Sequence, residues 1–249
     1  MIKLRNRVVL VTGAASGVGR KIVRNLLREG ANVVIADLDP AAAEAEAAAA
    51  ELGGAENRVI GVAMDVTNEA QVDAGMQIAV DRFGRLDVLL ATAGIRMIAP
   101  PDRRVFGERE RKLAIHFDGA FLPTRAALRQ MCKQGSGGVI VHMGSTHSED
   151  HESIAPANDV AREEARPGIA AAAVCPAFML MSTADGQIAE QAKGLGILER
   201  RAVDMIILKE TVDGASTTRD DAPEAVLVIA VLRSNAPTGQ SRIVGRFFR

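Results

Sequence analysis

The sequence predicts an α/β fold with a doubly wound parallel sheet of about seven strands. Three observations carry that expectation. Short β-branched runs alternate with helical patterns along most of the 249 residues, as in right-handed βαβ units whose sheet is covered on both faces. A glycine-rich loop joins the first strand-like run to the first helical one. The length suits one domain, spanning residues 1–249, with a sizeable core.

Seven stretches read as strands: RVVLVTG, NVVIAD, RVIGVAMD, LDVLLATAG, GGVIVHMG, AAAAVCPA and QSRIVG. Helices are expected over GRKIVRNLLREG, PAAAEAEAAAAELG, NEAQVDAGMQIAVDRFG and ERERKLAIHFDGAFLPTRAALRQMCKQG, by apolar spacing or by propensity. Several of these end in glycine, the usual C-terminal stop. Two places break the rhythm. Only residues 146 to 168 are available for the crossover after the fifth strand, and they are charged with little apolar face, so a shortened helix is expected there. ILERRAVDMIILKETVDGASTTRDDAPEA reads as an insertion of helix and loop before the last helix–strand pair.

Composition narrows the function classes. Thirty basic and 31 acidic residues leave a formal net charge of −1, which gives no electrostatic case for nucleic acid or an anionic membrane. The two cysteines make no disulfide framework, and no Cys/His spacing suggests zinc or another metal. MIKLRNRVVLVTG runs straight into a strand without room for a signal peptide. The longest apolar run, from Ile169 to Met181, is too short for a bilayer. A soluble, cytoplasmic protein is expected.

The most informative stretch is VTGAASGVGRKIV. It sets Gly13, Ser16, Gly17, Val18 and Gly19 directly after a strand and at the mouth of a helix. Glycines there allow a sharp turn and close approach to a pyrophosphate, whose charge rests on N–H groups at the helix N-terminus. VVIAD then ends the second strand with Asp37. A carboxylate at that point can accept both adenosine ribose hydroxyls and repels a 2′-phosphate, so NAD is favoured over NADP. No Arg or Lys stands beside Asp37 or inside the loop. A Rossmann-like dinucleotide fold follows, with a turn kept only for helix packing as the competing reading.

The chain resembles the short-chain dehydrogenase/reductase family over nearly its whole length. TGAASGVG, Asp65-Val66, ATAGI, Ser145, CPA and TGQSRIVG carry the likeness. The resemblance implies that Asp65 and Val66 contact adenine, while Thr92, Ala93, Gly94 and Pro176 line the cofactor channel; Asp65 is alternatively a plain turn residue or helix N-cap. AGIRMIAP, GSTHS and QIAEQAKGLGI are similar to strings of the 3-hydroxybutyrate dehydrogenase branch. That likeness implies a small-molecule substrate whose carboxylate faces Arg96, His147 and Gln187. An Arg suits a carboxylate through a bidentate pair. The competing readings are a solvated Arg, a strand-end His satisfied locally and a surface Gln. The resemblance implies an oligomer, since family members are commonly tetramers, so a homo-oligomer, dimer or tetramer, is expected.

The reacting end departs from the family. Its Tyr position is Asn158, its Lys position Arg162 and its relay Asn position His116, and the chain holds no tyrosine at all. Asn158 can donate a hydrogen bond but not a proton, and Arg162 keeps a positive charge without acting as acid or base. Histidine is the natural stand-in, because its pKa lies near working pH. His147, two residues past Ser145, and His116 are the candidates; His142 reads as a satisfied core histidine and His151 as a solvated one. Three classes stay open. One is an NAD-dependent oxidoreductase on a small hydroxy or keto acid, with Ser145 binding the oxygen. Another is a non-redox dehydratase, isomerase or lyase using Ser145, a His and Arg162. The third is a catalytically silent dinucleotide-binding homologue.

Overall fold

The computed structural model describes residues 4–55, 57–95, 105–144, 168–176, 196–198, 201, 221–231 and 240–244. All but the last residue of the expected crossover segment and most of the expected insertion lie outside these residues. Chain order within the described residues is β1 (Val8–Thr12), α1 (Gly17–Arg28), β2 (Asn32–Asp37), α2 (Pro40–Ala50), β3 (Val59–Ala63), α3 (Glu69–Phe83) and β4 (Val88–Ala91). There follow α4 (Phe106–Leu113), α5 (Gly119–Gln134), β5 (Gly138–Met143), β6 (Ile169–Pro176), α6 (Asp221–Val231) and β7 (Gln240–Val244).

The strands form one sheet in the order β3-β2-β1-β4-β5-β6-β7, and every neighbouring pair is parallel. The order reverses between β1 and β4, which opens a crevice at the carboxyl ends of the strands. Alternate residues of each strand feed two cores. Val9, Val11, Val33, Ile35, Val139 and Val141 pack with Ile22 and Leu26 of α1 and Val226 of α6. Leu10, Val34, Leu89 and Ile140 pack with Val72 and Met76 of α3 and Leu128 and Met131 of α5. Both faces are therefore apolar, as the strand sequences require.

Local chemistry sets the helix limits. Asn68 caps α3 by accepting the Gln71 N–H at 3.1 Å, and the helix closes at Gly84, whose N–H donates to the Val80 carbonyl at 2.7 Å. The stretch ERERKLAIHFDGAFLPTRAALRQMCKQG is helical, as expected, with a feature the periodicity did not reveal: a π-type turn over Ala114–Asp118 separates α4 from α5. Pro123 lies in the first turns of α5 and offers no N–H to the carbonyl four residues back. Turns of this π type recur at functional sites.

Candidate functional site

The crevice is built upward from the ends of β1 and β4. Thr12 closes β1, and its Oγ1 accepts the N–H groups of Thr92 and Ala93, each at 3.1 Å. The Thr92 hydroxyl donates in return to the Thr12 carbonyl. This reciprocal stitch fixes the loop after β4 against the loop after β1.

Gly13 then turns the chain with φ of +63°, and a Cβ there would stand 2.7 Å from the Ala93 Cα. Gly19, in the first turn of α1, has equally little room: a Cβ would fall 2.5 Å from the Gly13 carbonyl oxygen. Glycine is thus required at both positions by the protein itself. The loop lies tight against the strand ends, and the amino end of α1 faces the crevice.

Asp37 is held in register with this loop. Its Oδ2 accepts the Ala15 N–H at 2.9 Å, while Oδ1 lies 3.4 Å from the Asp39 nitrogen. A carboxylate has about four acceptor directions, so it retains capacity for hydroxyl donors. Asp65 is tied differently. Its Oδ1 accepts from the Thr67 N–H at 2.9 Å and the Thr67 hydroxyl at 2.7 Å, and its own N–H donates to Gln71. These are the contacts of a turn residue, and its side chain still borders the crevice.

His116 sits in the π turn. Its Nε2 is 2.8 Å from the Ile95 carbonyl and 3.3 Å from the Ile95 nitrogen, and its ring covers Gly94, where a Cβ would be 2.7 Å from the imidazole Cε1. His142 belongs to the core instead. It is buried in β5, with Nε2 3.3 Å from the Thr124 hydroxyl. That hydroxyl spends its proton on the Ala120 carbonyl at 2.7 Å, so Nε2 of His142 must be the donor. Its Nδ1 has no partner among the described residues, and burial brings the imidazole down to about 4. The expected satisfied core histidine is therefore satisfied at one nitrogen.

These elements enclose a cleft of about 600 Å³. The loop residues Gly13, Ser16, Gly17, Val18 and Gly19 line it, with Asp37, Asp65 and Val66 on one side and Thr92, Ala93 and Gly94 on the other. All the cofactor positions read from the sequence meet there except Pro176, which ends β6. The shape and donor set fit a dinucleotide: a glycine loop at a helix N-terminus and a preorganised carboxylate at the end of the next strand. Ser145, His147, Asn158, Arg162, Arg96 and Gln187 lie outside the described residues.

The cleft also includes residues that the sequence reading passed over, among them Leu38, Met64, Met143 and the α4-side group Arg111, Ala114 and Ile115. The last three follow a helical i, i+3, i+4 pattern ahead of His116. That spacing was the available signal, but nothing local says which way the face turns.

Comparison with known proteins agrees with this geometry. Residues 7–193 match the family described as short chain dehydrogenase. D-beta-hydroxybutyrate dehydrogenase of Cupriavidus necator is 30% identical over 96% of this chain and 95% of its own length. D-threitol dehydrogenase of Mycolicibacterium smegmatis is 39% identical, over 57% of this chain and 54% of its own, so this chain matches about half the length of that relative. The solved structure of gox2181 superposes with a TM-score of 0.84 at 28% identity, covering 98% of this chain and 95% of that one. With a family match across three quarters of its length, the chain belongs to the short chain dehydrogenase family of oxidoreductases.

Proposed function

We propose that this protein is an NAD(H)-dependent oxidoreductase acting on a small hydroxy or keto substrate, in the range of 3-hydroxy acids, as a single domain over residues 1–249. The observation that carries the reading is Asp37, fixed to the glycine loop through Ala15 at 2.9 Å and bordering the cleft. A carboxylate held there welcomes ribose hydroxyls and opposes a 2′-phosphate. The names of the 3-hydroxybutyrate and threitol relatives support a small hydroxylated substrate.

When bound, the nicotinamide supplies or accepts the hydride. In alcohol oxidation the substrate's C–H electron pair departs with that hydride, and the O–H proton passes to a base; reduction returns both. Ser145 would hold the oxygen, and Arg96 and Gln187 the substrate's carboxylate. No tyrosine exists to carry the proton. His116 holds the Ile95 carbonyl through Nε2, and either His147 or the other ring nitrogen of His116 would carry the proton, with Arg162 as a fixed positive charge and Asn158 as a hydrogen-bond donor. A non-redox reaction on the same scaffold is the second reading, favoured by that missing tyrosine.

We also place the protein in the cytoplasm as a homo-oligomer. Among the described residues no helix is long and apolar enough to cross a membrane. Phe117 and Phe121, one turn apart on the α4–α5 flank, are 47% and 48% exposed, and Phe106 is 68% exposed; aromatic surface of this kind is enriched where subunits meet.

Calorimetric titration with NADH and NADPH tests the cofactor reading, followed by a screen of small hydroxy acids for NADH production. NADH binding at least tenfold tighter than NADPH, with turnover of a hydroxy acid, is expected. NADH binding without turnover of any hydroxy or keto acid would favour the non-redox reading. Absence of binding by either dinucleotide would end the dehydrogenase reading.

A further inference from the structure

We infer that Arg111 covers the adenine base of the bound dinucleotide, an assignment that rests on the dinucleotide reading above. Arg111, Ala114 and Ile115 all border the cleft, and they occupy the end of α4 and the start of the π turn. Two contacts fix where this wall stands. His116 bonds the Ile95 main chain, and Gly119 lies so close to Val66 that a Cβ would be 2.6 Å from its Cγ2. The wall therefore reaches the side of the cleft where β3 ends.

Strand order says which part of the ligand lies there. β2 and β3 stand to one side of β1, and β4 and β5 to the other. A pyrophosphate on the loop after β1 and a ribose on Asp37 at the end of β2 put the base on the β2–β3 side. It would rest among Leu38, Val66 and the α4 wall, all of which line the cleft.

The charges on that side are otherwise acidic, from Asp37 and Asp65. Arg111 is exposed, and while its carbonyl accepts the Ala114 N–H, its guanidinium has no hydrogen bond or ion pair among the described residues. A planar, weakly hydrated guanidinium is suited to lie on an aromatic face, and adenine is such a face. The phosphates have their own donors in the N–H groups at the amino end of α1.

The test is titration of the intact protein and its Arg111→Ala and Arg111→Lys variants with NADH, ADP-ribose and reduced nicotinamide mononucleotide. Arg111→Ala is expected to weaken NADH and ADP-ribose by the same factor, roughly three- to tenfold, and to leave the mononucleotide unchanged. Lysine should restore little, because it keeps the charge but not the plane. Unchanged ADP-ribose affinity in Arg111→Ala, or an equal loss for the mononucleotide, overturns the assignment while leaving the dinucleotide reading intact. Full recovery with lysine overturns the stacking contact. If the unmodified protein binds neither NADH nor ADP-ribose, both readings fall together.

Discussion

A single ring nitrogen of His116 faces both main-chain polar groups of Ile95, at 2.8 Å from the carbonyl oxygen and 3.3 Å from the amide nitrogen. A neutral imidazole nitrogen is either donor or acceptor, never both, and the shorter distance favours Nε2–H donating to the carbonyl. A side-chain amide has separate donor and acceptor atoms and is able to satisfy both Ile95 groups together. His116→Asn is therefore expected to hold the Gly94–Ile95 wall at least as well as histidine. His116→Ala removes the bond and the ring over Gly94, and NADH affinity should fall about three- to tenfold for one lost hydrogen bond. Equal NADH affinity in the alanine and parent proteins would show that this wall does not shape the cofactor cleft.

Gly13 and Gly19 make the second prediction, one about stability rather than binding. Alanine at Gly13 would combine φ of +63° with a 2.7 Å approach to the Ala93 backbone. Alanine at Gly19 would meet the Gly13 carbonyl at 2.5 Å. Neither neighbour is the free end of a flexible side chain, so main chain must move, at about 1–3 kcal/mol. At roughly 2–4 °C per kcal/mol for a chain of this size, thermal unfolding should shift down by about 2–12 °C in each variant. Gly53→Ala serves as the control, because nothing lies within 4 Å of a Cβ there. Melting points that match this control would mean the loop is looser than drawn.

The contrast between Gly13 and Arg111 shows what the sequence could and could not convey. Gly13, Gly19 and Asp37 were legible because their roles are local: a turn after a strand, a helix entry and the end of the adjacent strand. Asp65 was legible as two alternatives, and its bonds to Thr67 realise the turn while its side chain stays at the cleft. Arg111 and the His116–Ile95 contact depend on the π turn at Ala114–Asp118, which reorients a helix face that periodicity alone draws straight. The absence of a base beside Asp37 in the sequence did not exclude one brought to the same cleft by tertiary packing.

Cofactor choice should depend on Asp37. Asp37→Asn keeps an acceptor for the Ala15 N–H but removes the negative charge. It is expected to weaken NADH by a factor of a few and to strengthen NADPH, bringing the two affinities within about threefold. Asp37→Ala should cost more NADH affinity, since the loop loses its tie as well. Competitive titrations of both variants would separate charge from tethering. A preference that survives in Asp37→Asn would locate discrimination elsewhere in the cleft.

The last prediction concerns acid stability and His142. Burial holds its imidazole at about 4 in the folded protein, whereas an unfolded histidine titrates near about 6.5. Between those values the unfolded chain binds a proton that the folded chain refuses. Linkage then requires stability to rise with pH across this window and to fall on acidification through it. The contribution lost between pH 7.5 and pH 5 is about 2 kcal/mol, and most of it should disappear below pH 6.5. His142→Leu removes the titrating group at similar volume, and Thr124 keeps its bond to the Ala120 carbonyl. Denaturant melts of both proteins at pH 7.5, 6 and 5 isolate the effect, since other titrating groups are common to both. The stability difference should move toward the leucine variant as pH falls; parallel curves would show that His142 is not held neutral.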